Sequence, residues 1–168
     1  QPLLLKLLGD KEEVAIAKEI QKALKRSLPQ YLSRDVQIKD KNYFVINLYG
    51  PNKDAEAVRF YQDLSTTLRG VDSDSDSNVI VGGNFNCPLD PTLDKKRRYS
   101  NSSTTCDNWI ESFQNEFSLH DIWRIKNPNT RSYTWSKNSP FIFCRLDYCL
   151  ISDNLNDLVT QVDFCSLN

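Results

Sequence analysis

Three short segments of this 168-residue chain carry side chains that could do chemistry. In the first, residues 79–86, an apolar strand pattern ends in two glycines and is followed by Asn84 and Asn86. Polar side chains that follow a buried strand lie at a sheet edge, where active sites tend to form, and these two amides could reach one point. The alternative is an ordinary strand-to-turn junction that uses glycine and asparagine for their backbone conformations.

The second segment, residues 145–151, has a strand pattern in which Arg145 and Asp147 fall on the same face. An aspartate in the middle of an apolar strand is costly unless it has a partner or a function. Asp147 could orient a histidine or a metal ligand, or it could simply pair with Arg145. The residues alone leave both alternatives open.

The third segment, residues 47–52, places Tyr49 at the end of a strand pattern, just before a Gly-Pro-Asn break. The Tyr49 hydroxyl could donate a hydrogen bond to a phosphate oxygen. A core aromatic that closes the strand is the simpler interpretation of this residue taken alone.

Taken together, the three segments resemble signatures of the endonuclease/exonuclease/phosphatase superfamily. Residues 47–52 resemble its Asn-x-Tyr-Ala-Pro-Asn signature, residues 82–86 its Gly-Gly-Asp-Phe-Asn motif, and residues 145–151 its Arg-Ile-Asp-Tyr-Ile-Leu strand. The sequences Asp-Ile-Trp-Arg at residues 121–124 and Tyr-Thr-Trp-Ser at residues 133–136 narrow the resemblance to LINE-1-type retrotransposon endonucleases. The matches are collinear from about residue 42 to the C-terminus.

The resemblance implies a four-layer α/β sandwich of the DNase I-like type, truncated at both ends here, with its active site at one sheet edge. It also implies a DNA endonuclease that uses Mg²⁺ or Mn²⁺ to polarise the scissile phosphate while an activated water attacks. The parent element would carry a reverse transcriptase fused to this domain, and DNA would be the partner.

The family's site residues carry over to several positions of this chain. In that scheme Tyr49 and Asn86 contact the phosphate, and position 84 handles the proton of the attacking water or leaving group. Asp147 lies near the site on its strand, Asn52 belongs to the substrate-binding signature, and Thr134 supports the DNA-facing surface.

This copy departs from the family at position 84, where Asn replaces Asp. An amide cannot take a proton from water near neutral pH, so we expect the catalytic step to be impaired. The family's catalytic histidine belongs to a Ser-Asp-His motif further downstream, and the chain ends at Asn168 before such a motif. We expect His120 to be a structural or surface residue instead.

The N-terminal segment, residues 1–35, does not match the family and shows a helical pattern over residues 11–28. It offers no counterpart of the family's metal-binding glutamate, so we assign no metal ligand, and Mg²⁺ or Mn²⁺ binding becomes doubtful. Residues 36–168 would form the partial endonuclease domain. Because the chain has no methionine and starts at Gln1, a fragment or an incomplete gene is the simplest interpretation.

Further elements follow from periodicity. Strands are predicted at residues 36–40 and 43–49 as a hairpin, and later at residues 132–136, 145–151 and 162–165. Helices are predicted from Asp54 to Gly70 and from Asp107, the latter with Trp109 or Ile110, Phe113 and Phe117 facing inward.

Residues 72–77 and 87–105 are predicted loops, and the basic run at residues 95–98 could meet a DNA backbone or be a solvated loop. The interleaving favours a layered α/β domain.

Composition sets the remaining limits. The net charge of −1 gives no overall basic footprint for nucleic acid, so DNA binding requires a local patch. Five cysteines without a Cys-x-x-Cys pair, and a single histidine, argue against a zinc site and for a reducing, intracellular compartment. No apolar run predicts a membrane span. The alternative to an impaired endonuclease is a non-catalytic DNA-binding or interaction module that keeps the fold.

Overall fold

The computed structural model describes residues 3–4, 31–38, 41–52, 54–70, 78–97 and 107–164. The strands are β1 (Leu3–Leu4), β2 (Tyr31–Ile38), β3 (Lys41–Tyr49), β4 (Asn78–Asn84), β5 (Lys95–Arg97), β6 (Leu119–Asp121), β7 (Trp135–Asn138), β8 (Phe141–Cys144), β9 (Asp147–Ser152) and β10 (Asp163–Phe164). The helices are α1 (Asp54–Arg69), α2 (Asp107–Glu116) and α3 (Ile122–Lys126), and a 3-10 helix spans Asp153–Leu158. No helix within these ranges is long and apolar enough to cross a membrane.

The central layer is a five-stranded sheet in the order β2-β3-β4-β9-β6. Strands β3 and β4 are parallel, and α1 makes the crossover between them, as a parallel pair requires. The other neighbours are antiparallel. A three-stranded sheet, β5-β8-β7, and the short pair β1-β10 complete the described strands. The predicted α/β class is confirmed.

Strand alternation divides the core between the two faces of the five-stranded sheet. Even-numbered residues of β3, such as Ile46 and Leu48, face a cluster that includes Leu64 of α1 and Phe113 of α2. Residues of the opposite parity, such as Val45, face a second cluster built with α3 and the 3-10 helix. Complete burial of such aliphatic side chains stabilises the fold by about 1.5–3 kcal/mol each.

The end of β4 is packed backbone to backbone against β3. Gly83 has a φ of 140°, and a Cβ atom there would lie 2.0 Å from the carbonyl oxygen of Leu48. A Cβ on the preceding residue, Gly82, would meet its nearest neighbour, the carbonyl oxygen of Tyr148, at 3.9 Å. The second glycine of the pair therefore satisfies a steric requirement, and the first does not.

We predict that Gly83→Ala lowers the free energy of unfolding by at least about 2 kcal/mol, because it adds both a disfavoured φ and a backbone clash. Gly82→Ala is the matched control and should cost much less. Urea denaturation followed by circular dichroism measures both. Equal losses of unfolding free energy for the two variants would contradict the close approach of β3 and β4.

Several predicted boundaries were wrong. The first hairpin strand, Tyr31–Ile38, begins before the predicted residue 36 and within the segment assigned to residues 1–35. The predicted last residues of this strand, 39 and 40, lie outside the described residues. The next strand runs from Lys41, so Lys41 and Asn42 belong to it and not to the turn. Helix α1 ends at Arg69, as predicted from Gly70. The helix predicted at residues 11–28 and the loop at residues 72–77 lie outside the described residues.

The C-terminal half contains more elements than its periodicity predicts. The basic residues 95–97 form β5, and not part of a loop, while residue 98 lies outside the described residues. The strands predicted at residues 132–136, 145–151 and 162–165 are Trp135–Asn138, Asp147–Ser152 and Asp163–Phe164. Elements β6, α3 and β8 were not predicted. In α2, Ile110 and Phe113 are buried and Trp109 is exposed, which decides the open alternative in favour of Ile110.

Candidate active site

The three segments singled out by their chemistry meet at one edge of the five-stranded sheet. Tyr49 at the end of β3 is the register partner of Asn84 at the end of β4. Asn84 is in turn the register partner of Asp147 at the start of β9. Neighbouring strands are about 4.8 Å apart, so the three residues form a row across the sheet with Asn84 in the middle. Strand alternation places all three side chains on the face away from α1 and α2.

Tyr49 is solvent-exposed, with 59% of its surface accessible. The interpretation of this residue as a core aromatic was therefore wrong. The backbone that follows it is tied to β4, since the amide of Gly50 donates to the carbonyl of Asn84 at 2.7 Å. A Cβ at Gly50 would lie 2.5 Å from the carbonyl oxygen of Phe85, so only glycine fits between the two chains. The Tyr49 hydroxyl is thus carried on a rigid strand end.

Asn84 and Asn86 are joined directly. The backbone N–H of Asn86 donates to Oδ1 of Asn84 at 2.7 Å, and Nδ2 of Asn86 donates to the carbonyl of Gly50. Asn86 has a φ of 53°, a left-handed conformation that asparagine tolerates better than most residues. The turn-junction interpretation therefore describes the backbone here. At the same time these hydrogen bonds tie Asn86 to Asn84 and to Gly50, the residue after Tyr49.

Asn52 follows the end of β3 and is not one of the register partners that form the row. It is exposed in the bend after β3. No hydrogen bond among the described residues joins its side chain to Tyr49, Asn84 or Asp147. Its place in the substrate-binding signature therefore stays a prediction.

Asp147 is almost fully buried and is held by Thr134. The Thr134 hydroxyl oxygen accepts from the amides of Leu146 and Asp147, at 3.0 and 3.2 Å. Burial raises the pKa of the Asp147 carboxyl above its ordinary value of 3.8, and a hydrogen bond with the Thr134 side chain acts in the opposite direction. Thr134 therefore orients the strand end on which Asp147 lies.

The raised pKa of Asp147 makes a prediction for stability against pH. A carboxyl whose pKa is higher in the folded state makes a contribution to stability that is complete below the ordinary value of 3.8 and is lost as the pH rises through the folded pKa. We therefore expect Asp147→Asn to be more stable than the unaltered chain at pH 7, with the gap narrowing as the pH falls towards that value. Urea denaturation at a series of pH values measures the gap. Asp63→Asn, on the exposed side of α1, is the control for removing one negative charge. A stability difference between Asp147→Asn and the unaltered chain that does not change with pH would contradict the assignment to Asp147.

Arg145 has partners that the strand pattern did not predict. Its Nε and Nη2 atoms each donate to the carboxylate of Asp94 at 2.8 Å, and Nη2 also lies 2.6 Å from Oδ2 of Asp121. The alternative in which Arg145 pairs with Asp147 was wrong. Burial lowers the pKa of Arg145, but the hydrogen bonds with Asp94 and Asp121 outweigh it and raise the pKa, so the guanidinium stays charged.

The Arg145–Asp94 pair is completely buried and lies among aromatic rings. Both residues have 0% of their surface accessible. The guanidinium carbon of Arg145 lies 4.8 Å from the ring centre of Trp123 and 4.4 Å from that of Tyr148. Nη1 of Arg145 has no hydrogen-bond partner within the described ranges. The two ring faces attract the positive charge of the guanidinium. The sequence analysis did not identify Asp94. Because a buried charged side chain needs a partner of opposite charge, a buried Arg145 could have prompted a search for such an acid.

The donor set does not match a metal site built from carboxylates. Within the part of the chain that the structure describes, no group of three or more His, Cys, Asp or Glu side chains could hold a metal ion. In the row across the sheet, Asp147 is the one carboxylate, flanked by the amide of Asn84 and the phenol of Tyr49. Mg²⁺ in proteins is held mainly by carboxylates and water. The described residues therefore do not fit the family's metal.

His120 and the basic segment lie on strands that do not contribute to the row. His120 lies on β6, opposite Ile151 of β9, and its Nε2 is 2.6 Å from Oδ1 of Asp153. A structural role for His120 agrees with this position. Lys96 is exposed on β5, which pairs with β8.

The sequence is similar to part of a transposon protein. The chain is 30% identical over 117 residues to the transposon TX1 uncharacterized 149 kDa protein of Xenopus laevis, a match that covers 68% of this chain and 9% of that protein. No protein-family profile matches the chain. The similarity thus concerns a small part of a much longer transposon protein.

Three solved structures of AP endonucleases have the same fold. The catalytic domain of APE2 from Xenopus laevis matches with a TM-score of 0.58 and 21% identity, over 91% of this chain and 54% of that one. An AP endonuclease from Archaeoglobus fulgidus matches with a TM-score of 0.57 and 17% identity, over 74% of this chain and 54% of that one. The AP endonuclease LMAP of Leishmania major matches with a TM-score of 0.62 and 15% identity, over 76% of this chain and 47% of that one. The DNase I-like fold predicted from the sequence is confirmed, and the chain spans about half the length of these structures.

Proposed function

From the premise that this chain belongs to the endonuclease/exonuclease/phosphatase superfamily, we propose that it is a LINE-type DNA endonuclease domain impaired in the cutting step. The single observation that carries the proposal is the row Tyr49–Asn84–Asp147 across three neighbouring strands. Tyr49 in the row, together with Asn86 next to it, could hold a phosphate at the sheet edge. Its central residue is an amide where the superfamily motif has a carboxylate.

The groups that could hold a phosphate are two neutral donors on rigid backbone. Tyr49 is exposed at the strand end, and its phenol can donate to a phosphate oxygen. Asn86 has two Nδ2 protons, of which one is directed to the carbonyl of Gly50, so the second can point outward. Hydrogen bonds to a charged group contribute about 1.5–3 kcal/mol each when they are well placed. Phosphate binding therefore does not require the missing carboxylate.

The cutting step does require it. At position 84 the side chain would have to accept a proton from the attacking water or give one to the leaving group. The Asn84 amide carries no charge and is not basic near neutral pH. Its Oδ1 atom is also already bonded to the backbone N–H of Asn86. The substitution therefore preserves the shape of the loop and removes its proton chemistry.

The remaining site residues have supporting roles in this proposal. Asp147 is the last residue of the row, and Thr134 fixes the strand end on which it lies. Asn52 would extend the substrate-binding surface from its exposed bend. The resemblance implies Mg²⁺ or Mn²⁺, which would polarise the phosphate when bound, but the described donors do not fit that ion.

A non-catalytic DNA-binding module is the second candidate. It is favoured by the exposed Lys96 on β5 together with the exposed Tyr49, since both can meet DNA without any proton transfer. In either case we propose that the parent protein is an intracellular transposon protein with a reverse transcriptase. The mass of the related transposon protein, 149 kDa, supports the presence of further domains.

The proposal is tested by measuring binding and cutting on the same DNA. With a labelled duplex, fluorescence anisotropy should detect binding that weakens with salt, and Tyr49→Phe should weaken it about threefold to tenfold. Tyr43→Phe, at the other end of β3, is the matched control. With a supercoiled plasmid and Mg²⁺, the unaltered chain should nick no faster than the buffer alone. Nicking above that background would contradict the impairment, and absence of any binding would contradict the retained phosphate site.

A further inference from the structure

Asp94 is a buried carboxylate that receives two guanidinium groups. It accepts from Nε and Nη2 of Arg145 at 2.8 Å and also from Nη2 of Arg124. It further accepts from the backbone N–H of Asp90 at 3.1 Å, which closes the turn in which Asp94 lies. A buried acid in contact with two arginines is costly to assemble. The two arginines lead to different segments of the chain, and both segments end at the candidate site.

We call the two chains of contacts that start at Asp94 the first and the second arm. The first arm runs through Arg145 to the start of β9. The backbone N–H of Arg145 donates to the carbonyl of Asp94 at 2.8 Å, and its carbonyl accepts from the Tyr148 hydroxyl. The next residue, Leu146, accepts from the amide of Phe85 at 2.7 Å. The junction between β8 and β9 is therefore fixed to Asp94 on one side and to the loop of Asn84 on the other.

The second arm runs through Arg124 to the loop before β7. Nη1 of Arg124 donates to the carbonyls of Asn127 and Thr130, at 3.1 and 2.9 Å. This loop leads directly to Thr134, whose amide donates to the carbonyl of Cys144 at 2.9 Å. Arg124 therefore connects the Asp94 carboxylate to the segment that carries Thr134.

The two arms meet again at Thr134 and Asp147. The Thr134 hydroxyl, from the second arm, accepts the amides of Leu146 and Asp147, from the first. We propose that Asp94 is a positioning residue that sets the placement of Asp147 through Arg145 on one side and through Arg124 and Thr134 on the other. The proposal rests on the proposed function only in taking Asp147 and Thr134 as parts of the site.

Hydrogen exchange of the backbone amides tests the second arm without DNA or activity. Arg124→Gln removes the guanidinium from a side chain that is one-fifth exposed, so the variant should fold. The amides of Leu146 and Asp147 should then exchange at least about tenfold faster, the effect of losing one hydrogen bond of about 1.4 kcal/mol. Amides in the β3–β4 ladder should change by less than about twofold. Thr134→Val removes the acceptor itself and should give the same local pattern.

Two comparisons separate positioning from general stabilisation. Ile110→Ala, in the core under α2, should accelerate exchange at the ladder amides as much as at Leu146 and Asp147. In the double variant Arg124→Gln with Thr134→Val, the two local amides should exchange no faster than in Thr134→Val alone. Uniform acceleration by Arg124→Gln, additive effects in the double variant, or no change at Leu146 and Asp147 would each overturn the proposal. Because no DNA is involved, a failure of phosphate binding would leave this result untouched.

Discussion

Asp94→Asn is expected to lower the free energy of unfolding by about 3–5 kcal/mol, the cost of leaving a buried charge without its partner. Arg145 is completely buried, and an arginine guanidinium keeps its proton in proteins, so it would stay charged beside a neutral amide. Asp121 alone would then face the positive charge. Urea denaturation followed by tryptophan fluorescence measures the loss.

Asp90→Asn is the matched control, because Asp90 lies in the same turn but is only half-buried. Hydrogen bonds with Thr92 and Leu93 lower the pKa of Asp90 against the effect of burial, and an asparagine oxygen can still accept them. Its loss should be below about 1 kcal/mol. A similarly small loss for Asp94→Asn would mean that the guanidinium groups find other partners, which would contradict the central place given to Asp94.

Asn84→Asp is expected to raise the rate of plasmid nicking in Mg²⁺ by about 10²–10⁴, or roughly 3–5 kcal/mol of transition-state stabilisation. The aspartate would occupy the middle of the row between Tyr49 and Asp147 and could accept a proton there. It would also place a second carboxylate next to Asp147, which gives Mg²⁺ the oxygen ligands that the unaltered row lacks. One carboxylate oxygen could keep the hydrogen bond from the Asn86 amide, so the loop should not move. The rate of conversion of supercoiled to open-circular plasmid measures the gain.

Asn86→Asp makes the same chemical change two residues further along and is the control. It removes the Nδ2 group that donates to Gly50, so it should bring no gain in rate. If the unaltered chain nicks as fast as Asn84→Asp, position 84 is not what limits it. If neither nicks, the defect lies in other parts of the site.

The convergence of the three segments could be predicted, because each one ends or begins a strand with its polar residue. Apolar runs that end in glycine and asparagine place those residues at a sheet edge whatever the order of the strands. The register itself could not be predicted, since it depends on which strands are neighbours. The position of Tyr49 was misjudged for the same reason: a strand end is buried or exposed according to what covers it, and the sequence of the strand does not contain that information.

The partner of Arg145 illustrates a second limit. Proximity along a strand suggested Asp147, two residues away, but the actual partners are Asp94 and Asp121, on separate elements. Elements β6 and α3, which carry Asp121 and Arg124, are also too short to show a periodic pattern. Charge pairing across a fold is a tertiary property, and short elements that create it are the ones that sequence patterns miss.

The hydrogen bond from the Asn86 backbone N–H to Oδ1 of Asn84 has a consequence for how such a domain accumulates mutations in a genome. An aspartate and an asparagine offer this amide the same kind of oxygen in the same place. Chaperones and proteases respond to unfolded chain, and this exchange should give them nothing to recognise. A transposon copy can therefore lose its DNA-cutting activity in one mutation and still be maintained by the cell as a well-folded protein.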